Sequence, residues 1–145
     1  DLDVHQGNGT AKLMENEPRV FTFSMHGKNN YPFHKEQSDL DIPLPDGISG
    51  QEYLEILEKT LPMLLETVQP NFIFYLSGVD ILSTDKFGKF NISIDECKRR
   101  DELVLNMAYK KKIPIAIAMG GGYSPDINDI LQAHCNTFRL AANLF

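Results

Sequence analysis

Two apolar runs in the second half of the chain constrain its fold more than any other feature. Asn71 to Ser77 reads NFIFYLS, and Ile113 to Met119 reads IPIAIAM. Neither alternates polar with apolar residues, as a strand facing water on one side would. A nearly continuous apolar run suits a strand covered on both faces, the situation of a parallel sheet. Between the runs, Val104, Met107 and Ala108 recur at helical spacing, which predicts a helix over 95–110. Strand, helix and strand in that order form a crossover unit, and right-handed crossovers place helices on both faces of the sheet.

The same alternation holds earlier in the chain. Asp1 to His5 (DLDVH) reads as a strand, Val20 to Ser24 as a short β-rich run, and residues 26–38 as a polar loop. Asp39 to Leu44 predicts another short strand, closed by Pro45-Asp46-Gly47. From Gln51, Tyr53, Leu57, Leu61, Leu64 and Val68 mark an amphipathic helix in which Pro62 predicts a kink. Ser124-Pro125-Asp126 looks like a helix start, with Ser as cap and Pro first in the helix. Thr137 to Leu140 is a candidate last strand. The expected fold class is therefore α/β, a mostly parallel sheet flanked by helices, with residues 1–145 in a single domain.

Bulk properties exclude some function classes. A net charge of −6 gives no basic surface for a broad grip on nucleic acid, nor a polybasic patch for a membrane. No apolar run approaches the ~20 residues a membrane helix needs. Cys97 and Cys135 form no CxxC pair, so a reduced, cytoplasmic setting is the simpler expectation. The chain opens at Asp1 directly on a strand-like segment, which reads as the interior of a larger domain, incomplete at the amino terminus.

In open parallel sheets, sites gather at the carboxyl ends of the strands. Three such ends carry suggestive residues. In DLDVH, Asp1, Asp3 and His5 share one face of an extended chain. Two carboxylates and an imidazole placed together call for a positive charge between them, and this donor set suits zinc, manganese or iron(II). Alone, the pattern describes an acidic strand end in water equally well. Gly7-Asn8-Gly9 predicts a tight turn permitting close approach. After NFIFYLS comes Gly78-Val79-Asp80. Alone, Asp80 is a turn or cap residue; with Asp3 and His5 it completes a three-ligand set that leaves coordination positions open. After IPIAIAM come Gly120, Gly121, Gly122 and Tyr123. Neither common phosphate-loop pattern is present, and a tyrosine beside a metal can donate its proton to an oxyanion.

Together DLDVHQGNGT, YLSGVD and MGGGY resemble the three site segments of the histone deacetylase family, and the resemblance runs from Asp1 to about Leu140. It implies the arginase/deacetylase fold, with this chain as the carboxyl-terminal part of a catalytic domain. It implies that Asp3, His5 and Asp80 ligate zinc and that Tyr123 stabilises the tetrahedral oxyanion. Gly120, Gly121 and Gly122 would line the acyl-lysine tunnel, with Phe87 near its rim and Tyr31 or Phe33 as one wall. Asp1 and Ser24 side chains, with backbone carbonyls of Asp3, His5 and Met25, would hold a structural potassium ion. A second cation loop would fall around Met14, Glu17 and Val20. Gln6 and Asn8, where class I deacetylases have His and Asp, make the sequence similar to the class IV branch and its bacterial relatives.

The implied activity is zinc-dependent hydrolysis of an acyl-lysine in protein or peptide, or of an acylated polyamine. The family also uses a tandem His pair. His5, His26, His34 and His134 are the histidines here, and none is adjacent to another. His26, His34 and His134 read as surface or packing residues. The expectation is thus a chain inactive on its own. Two other readings stand beside it: an arginase-like binuclear manganese ureohydrolase, and a module that binds acyl-lysine without turnover.

Overall fold

The computed structural model describes residues 1–145. Four strands and four helices follow one another: α1 (Asn8–Met14), β1 (Phe23–Gly27), β2 (Leu40–Leu44), α2 (Gly50–Val68), β3 (Ile73–Gly78), α3 (Ile94–Lys111), β4 (Ile115–Gly120) and α4 (Ile127–Leu144). Strands pair in parallel as β1–β2 and β3–β4. The residues before α1 lie between the two pairs. Leu2 N donates to Leu76 O at 3.1 Å, Met25 N to Asp1 O at 3.1 Å and Gly27 N to Val4 O at 2.8 Å. The expected α/β architecture is therefore present. Its edge strand β2 carries Pro43, which donates nothing to a ladder and belongs at an edge.

Several local expectations are corrected. Residues 1–5 form no regular strand. Asp3 N donates to Asp1 Oδ1 and His5 N to Asp3 Oδ1, local side-chain bonds that compete with a ladder. The turn expected at 7–9 is the start of α1, with Gly7 at its cap. β1 begins at Phe23 and runs to Gly27, taking two residues, His26 and Gly27, that read as loop. The last strand expected at 137–140 does not exist. Those residues belong to α4, which buries Ala133, His134 and Thr137 at helical spacing and whose cap is Asp126 rather than Ser124. The helix α2 continues past Pro62 to Val68, and its buried stripe uses Leu65 rather than Leu64.

Helix placement explains the covered and open surfaces. α2 packs on α3, and α3 on α4, in a row. Both α2 and α3 start with capping boxes, Ser49 with Glu52 and Ser93 with Glu96. The core lies between this row and the strands: Leu2, Val4, Met25, Tyr53, Leu57, Tyr75, Val79 and Ile81 are all buried within it. On β3 the residues alternate after all. Tyr75 and Ser77 are buried, whereas Phe74 is 77% exposed. Its register partner on β4 is Ala116, and Ala118 beyond it is exposed. The expectation that both runs are covered on both faces is thus corrected: the Phe74 face of β3 and β4 is open.

Candidate metal centre

Chain geometry brings three of the expected residues to one point. Asp3 and His5 come from the segment between the strand pairs, and Asp80 from the turn after β3. His5 Nδ1 lies 2.9 Å from Asp3 Oδ1 and 3.0 Å from Asp80 Oδ2. Ligand-type atoms of all three lie within 4.8 Å of one another. Val4 N also donates to Asp80 Oδ1 at 3.1 Å, fixing one carboxylate against the other segment. The remaining oxygen of Asp80 is left to face His5.

Electrostatics bind the three side chains to one another. Hydrogen bonds that His5 Nδ1 donates to Asp3 and then to Asp80 pull the imidazole up to about 10, against the opposing effect of burial. Burial raises the Asp3 carboxyl, but its bonds from His5 outweigh that and leave it low. Burial also raises Asp80, and there it prevails. A proton on His5 is thus held between two carboxylates. Two oxygens and one nitrogen converging on a shared positive charge are the donor set of a divalent site, and the residues present fit one.

Glycines let the backbone close around the carboxylates. A Cβ on Gly78 would overlap the Asp3 carboxylate, and one on Gly120 would lie 3.0 Å from Asp3 Oδ2. A Cβ on Gly121 would overlap Asp80 Oδ2 and Cγ, and Gly121 also has a φ of +60°. Gly122 (φ +103°) faces Ile130 and Val79 instead. Gly120 and Gly121 therefore pack against the carboxylates. An open cleft of about 420 Å³ beside the cluster is lined by His5, Asn29, Asn30, Tyr31, Phe33, Phe87, Lys89 and Tyr123.

Tyr123 and His5 share that cleft. The Phe87 and Tyr123 rings meet edge to face with centroids 5.3 Å apart. Tyr31 and Phe33 stand on the rim as a second edge-to-face pair. Asp1 and Ser24 both adjoin Gly7: a Cβ there would overlap Asp1 Oδ2, and Gly7 N donates to Ser24 Oγ at 3.3 Å. Met25 is buried and its N–H donates to Asp1 O. The carbonyls of Met14 and Glu17 accept from Glu17 N and Val20 N in successive turns. His26 and His134 are buried and His34 is exposed, and none of the three lines the cleft.

Sequence reasoning missed the structural roles of four residues. Asp85 accepts from Phe87 N and Gly88 N through Oδ1 and from Tyr123 N through Oδ2, tying the Phe87 turn to the tyrosine. Its signal was an aspartate two residues before a turn, the Asx pattern. Gln6 bridges Glu36 and Asp41 and anchors the loop after β1. Arg100 and Asp101 form an ion pair with both side chains fully buried. No local pattern distinguishes them from the charged residues around them.

Comparisons with known proteins bear on the family and the fold. An uncharacterized protein of Picosynechococcus is 42% identical over the whole chain, which spans 48% of that protein. Histone deacetylase 2 of Arabidopsis thaliana is 35% identical over 85% of the chain, which covers 33% of its length. The chain thus spans half or less of the curated relatives it matches. Among solved structures, an acetylpolyamine aminohydrolase from Burkholderia pseudomallei superposes with a TM-score of 0.81 at 22% identity. That alignment covers 99% of this chain and 44% of the other. A histone deacetylase homologue from Aquifex aeolicus superposes at 0.80 with 24% identity, covering 98% of this chain and 40% of that one. These two likenesses show the fold. The Histone deacetylase domain model matches residues 1–138, and the chain belongs to that family.

Proposed function

We propose that these residues form the metal-holding side of a zinc-dependent amidohydrolase that releases a carboxylate and a free amine from an acyl-lysine or acylated polyamine. One observation carries the reading: Asp3, His5 and Asp80 converge at the same cleft that Tyr123 lines. A bound zinc ion would polarise the acyl carbonyl and activate water. The chain's own residues do the rest. Asp3, His5 and Asp80 would hold the ion. The Tyr123 hydroxyl donates a hydrogen bond to the oxyanion as the carbonyl carbon becomes tetrahedral. Phe87, Tyr31 and Phe33 offer aromatic surface to the aliphatic stem, and Asp85 holds the Tyr123 backbone in place. Asp1 and Ser24, with backbone carbonyls of Asp3, His5 and Met25, would hold a structural potassium ion.

His5 is the one imidazole lining the cleft, and by the family resemblance a tandem His pair, which these 145 residues lack, would take the water proton and return it to the leaving amine. Absence of a general base costs on the order of 10²–10⁴ in rate, and the isolated chain is expected to be inactive or nearly so. The test uses the full-length protein. Metal analysis should give one zinc per chain, and acetyl-lysine peptides or acetylated polyamines should be hydrolysed. Tyr123→Phe should abolish turnover while retaining zinc. A zinc-loaded protein that binds acyl peptide and never hydrolyses it would favour a binding module.

A further inference from the structure

Arg100 lies behind the metal centre and touches both segments that build it. Its side chain is completely buried in α3. Nη1 donates to Leu2 O at 3.1 Å and to Gly78 O at 2.6 Å. Leu2 precedes Asp3, and Gly78 stands two residues before Asp80. One nitrogen therefore links the backbones that carry the three ligands. The opposite side of the guanidinium is fixed by Asp101: Nε donates to Oδ1 at 2.9 Å, and Nη2 lies 2.8 Å from the same oxygen. Asp101 is itself locked. Tyr75 Oη donates to its Oδ1 at 2.5 Å, and Thr137 Oγ1 donates to its Oδ2 at 2.6 Å. The fork thus draws on β3, α3 and α4, and all its members are buried.

We infer that Arg100 is a positioning residue, which sets the spacing of Asp3 and His5 against Asp80 by cross-linking Leu2 O to Gly78 O, with Asp101 aiming the guanidinium. The inference rests on the reading of those three residues as metal ligands. The planar fork is essential to it. A guanidinium can bond two carbonyls from one nitrogen while its other nitrogens face a carboxylate, whereas an ammonium is a single point with no fixed plane. Groups that orient ligands from outside the coordination shell typically change metal affinity by about 10–100-fold when lost.

The experiment uses the full-length protein and three variants: Arg100→Lys, Asp101→Asn and Thr137→Val. Zinc affinity is measured by competition with a chromophoric chelator at a temperature where circular dichroism shows each variant folded. The visible bands of the cobalt(II)-substituted site report its geometry independently of stability. Arg100→Lys and Asp101→Asn should each weaken zinc binding at least about tenfold and alter the cobalt bands. Thr137→Val removes one bond to Asp101 without touching the staple, and should lower the melting temperature while leaving zinc affinity within about threefold. Zinc affinity and cobalt bands unchanged in folded Arg100→Lys would overturn the inference. Should that variant fail to fold, the same result in the near-isosteric Asp101→Asn would overturn it. Failure of the unmodified protein to bind zinc would instead remove the metal reading itself.

Discussion

Gly121→Ala is the substitution whose effect the structure specifies most closely. Gly121 has a φ of +60°, and its missing side chain leaves the space that Asp80 occupies. An added Cβ would overlap Oδ2 and Cγ of Asp80 and stand 2.7 Å from its Cβ. Two costs follow. Holding a non-glycine residue in the left-handed region costs roughly 1–2 kcal/mol. Relieving the overlap moves the Asp80 carboxylate by about 1 Å, far beyond the ~0.2 Å that a metal–ligand distance tolerates. Loss of an outer-shell partner alone costs about 10–100-fold in metal affinity, and displacement of a ligand should cost at least the upper end of that range. Two further glycines separate these terms. Gly122→Ala has φ +103° and meets Ile130 Cγ2 at 2.8 Å, so it should lose stability with little direct effect on the ligands. Gly9→Ala meets nothing within 4 Å and lies in α1, so it should be neutral or slightly stabilising. Zinc affinity of the full-length protein by chelator competition, paired with thermal denaturation, distinguishes all three. Gly121→Ala with zinc affinity equal to that of Gly9→Ala would refute the argument that the glycine loop is shaped around Asp80.

Other outcomes follow from the charges and the caps. In metal-free protein the His5 pKa is raised to about 10, so its contribution to stability is complete below an unfolded value near 6.5 and is lost as pH rises towards 10. Zinc replaces that proton, and saturating zinc should flatten this slope in thermal melts between pH 7 and 9; an unchanged slope would count against the cluster as the binding site. His26 has the opposite sign. Burial lowers its pKa although Asp41 opposes this, so its contribution is present above about 6.5 and is lost as pH falls below it. His26→Gln should reduce the loss of melting temperature between pH 6.5 and 5. Ser93→Ala removes the cap of α3, the helix that carries Arg100, and should cost about 1 kcal/mol in chemical denaturation with zinc affinity unchanged.

Residue spacing in the sequence pointed to the three clustered side chains better than to the surroundings that hold them. Asp3 and His5 stand two residues apart, and Asp80 follows an apolar strand; both facts are local. The glycines were visible too, but their purpose was not. Gly120, Gly121 and Gly122 read as tunnel lining; that Gly78, Gly120 and Gly121 also leave room for Asp3 and Asp80 is a relation between residues some 40 to 117 apart that spacing cannot express. The same limit applies to the false strand at Thr137. A β-branched residue among apolar neighbours suits a strand locally. What decides the matter is Asp101, whose carboxylate takes the Thr137 hydroxyl from across the helix pair. Buried polar groups require partners, and those partners are chosen by the tertiary fold.

Such hidden polar contacts connect the fold to the chemistry. Carboxylates gathered around one imidazole repel each other, and a metal-free centre would open without restraint. Val4 N on Asp80 and the Arg100 staple on Leu2 and Gly78 oppose that repulsion from behind, through backbone groups that do not themselves titrate. On the metal reading, Asp3, His5 and Asp80 would then exchange a proton for a metal ion while the segments carrying them stay in register. A site built this way needs its charged partners buried, because a solvated guanidinium would exchange carbonyls for water. Arg100 and Asp101 are accordingly among the least accessible residues of the chain, despite being two of its charged ones.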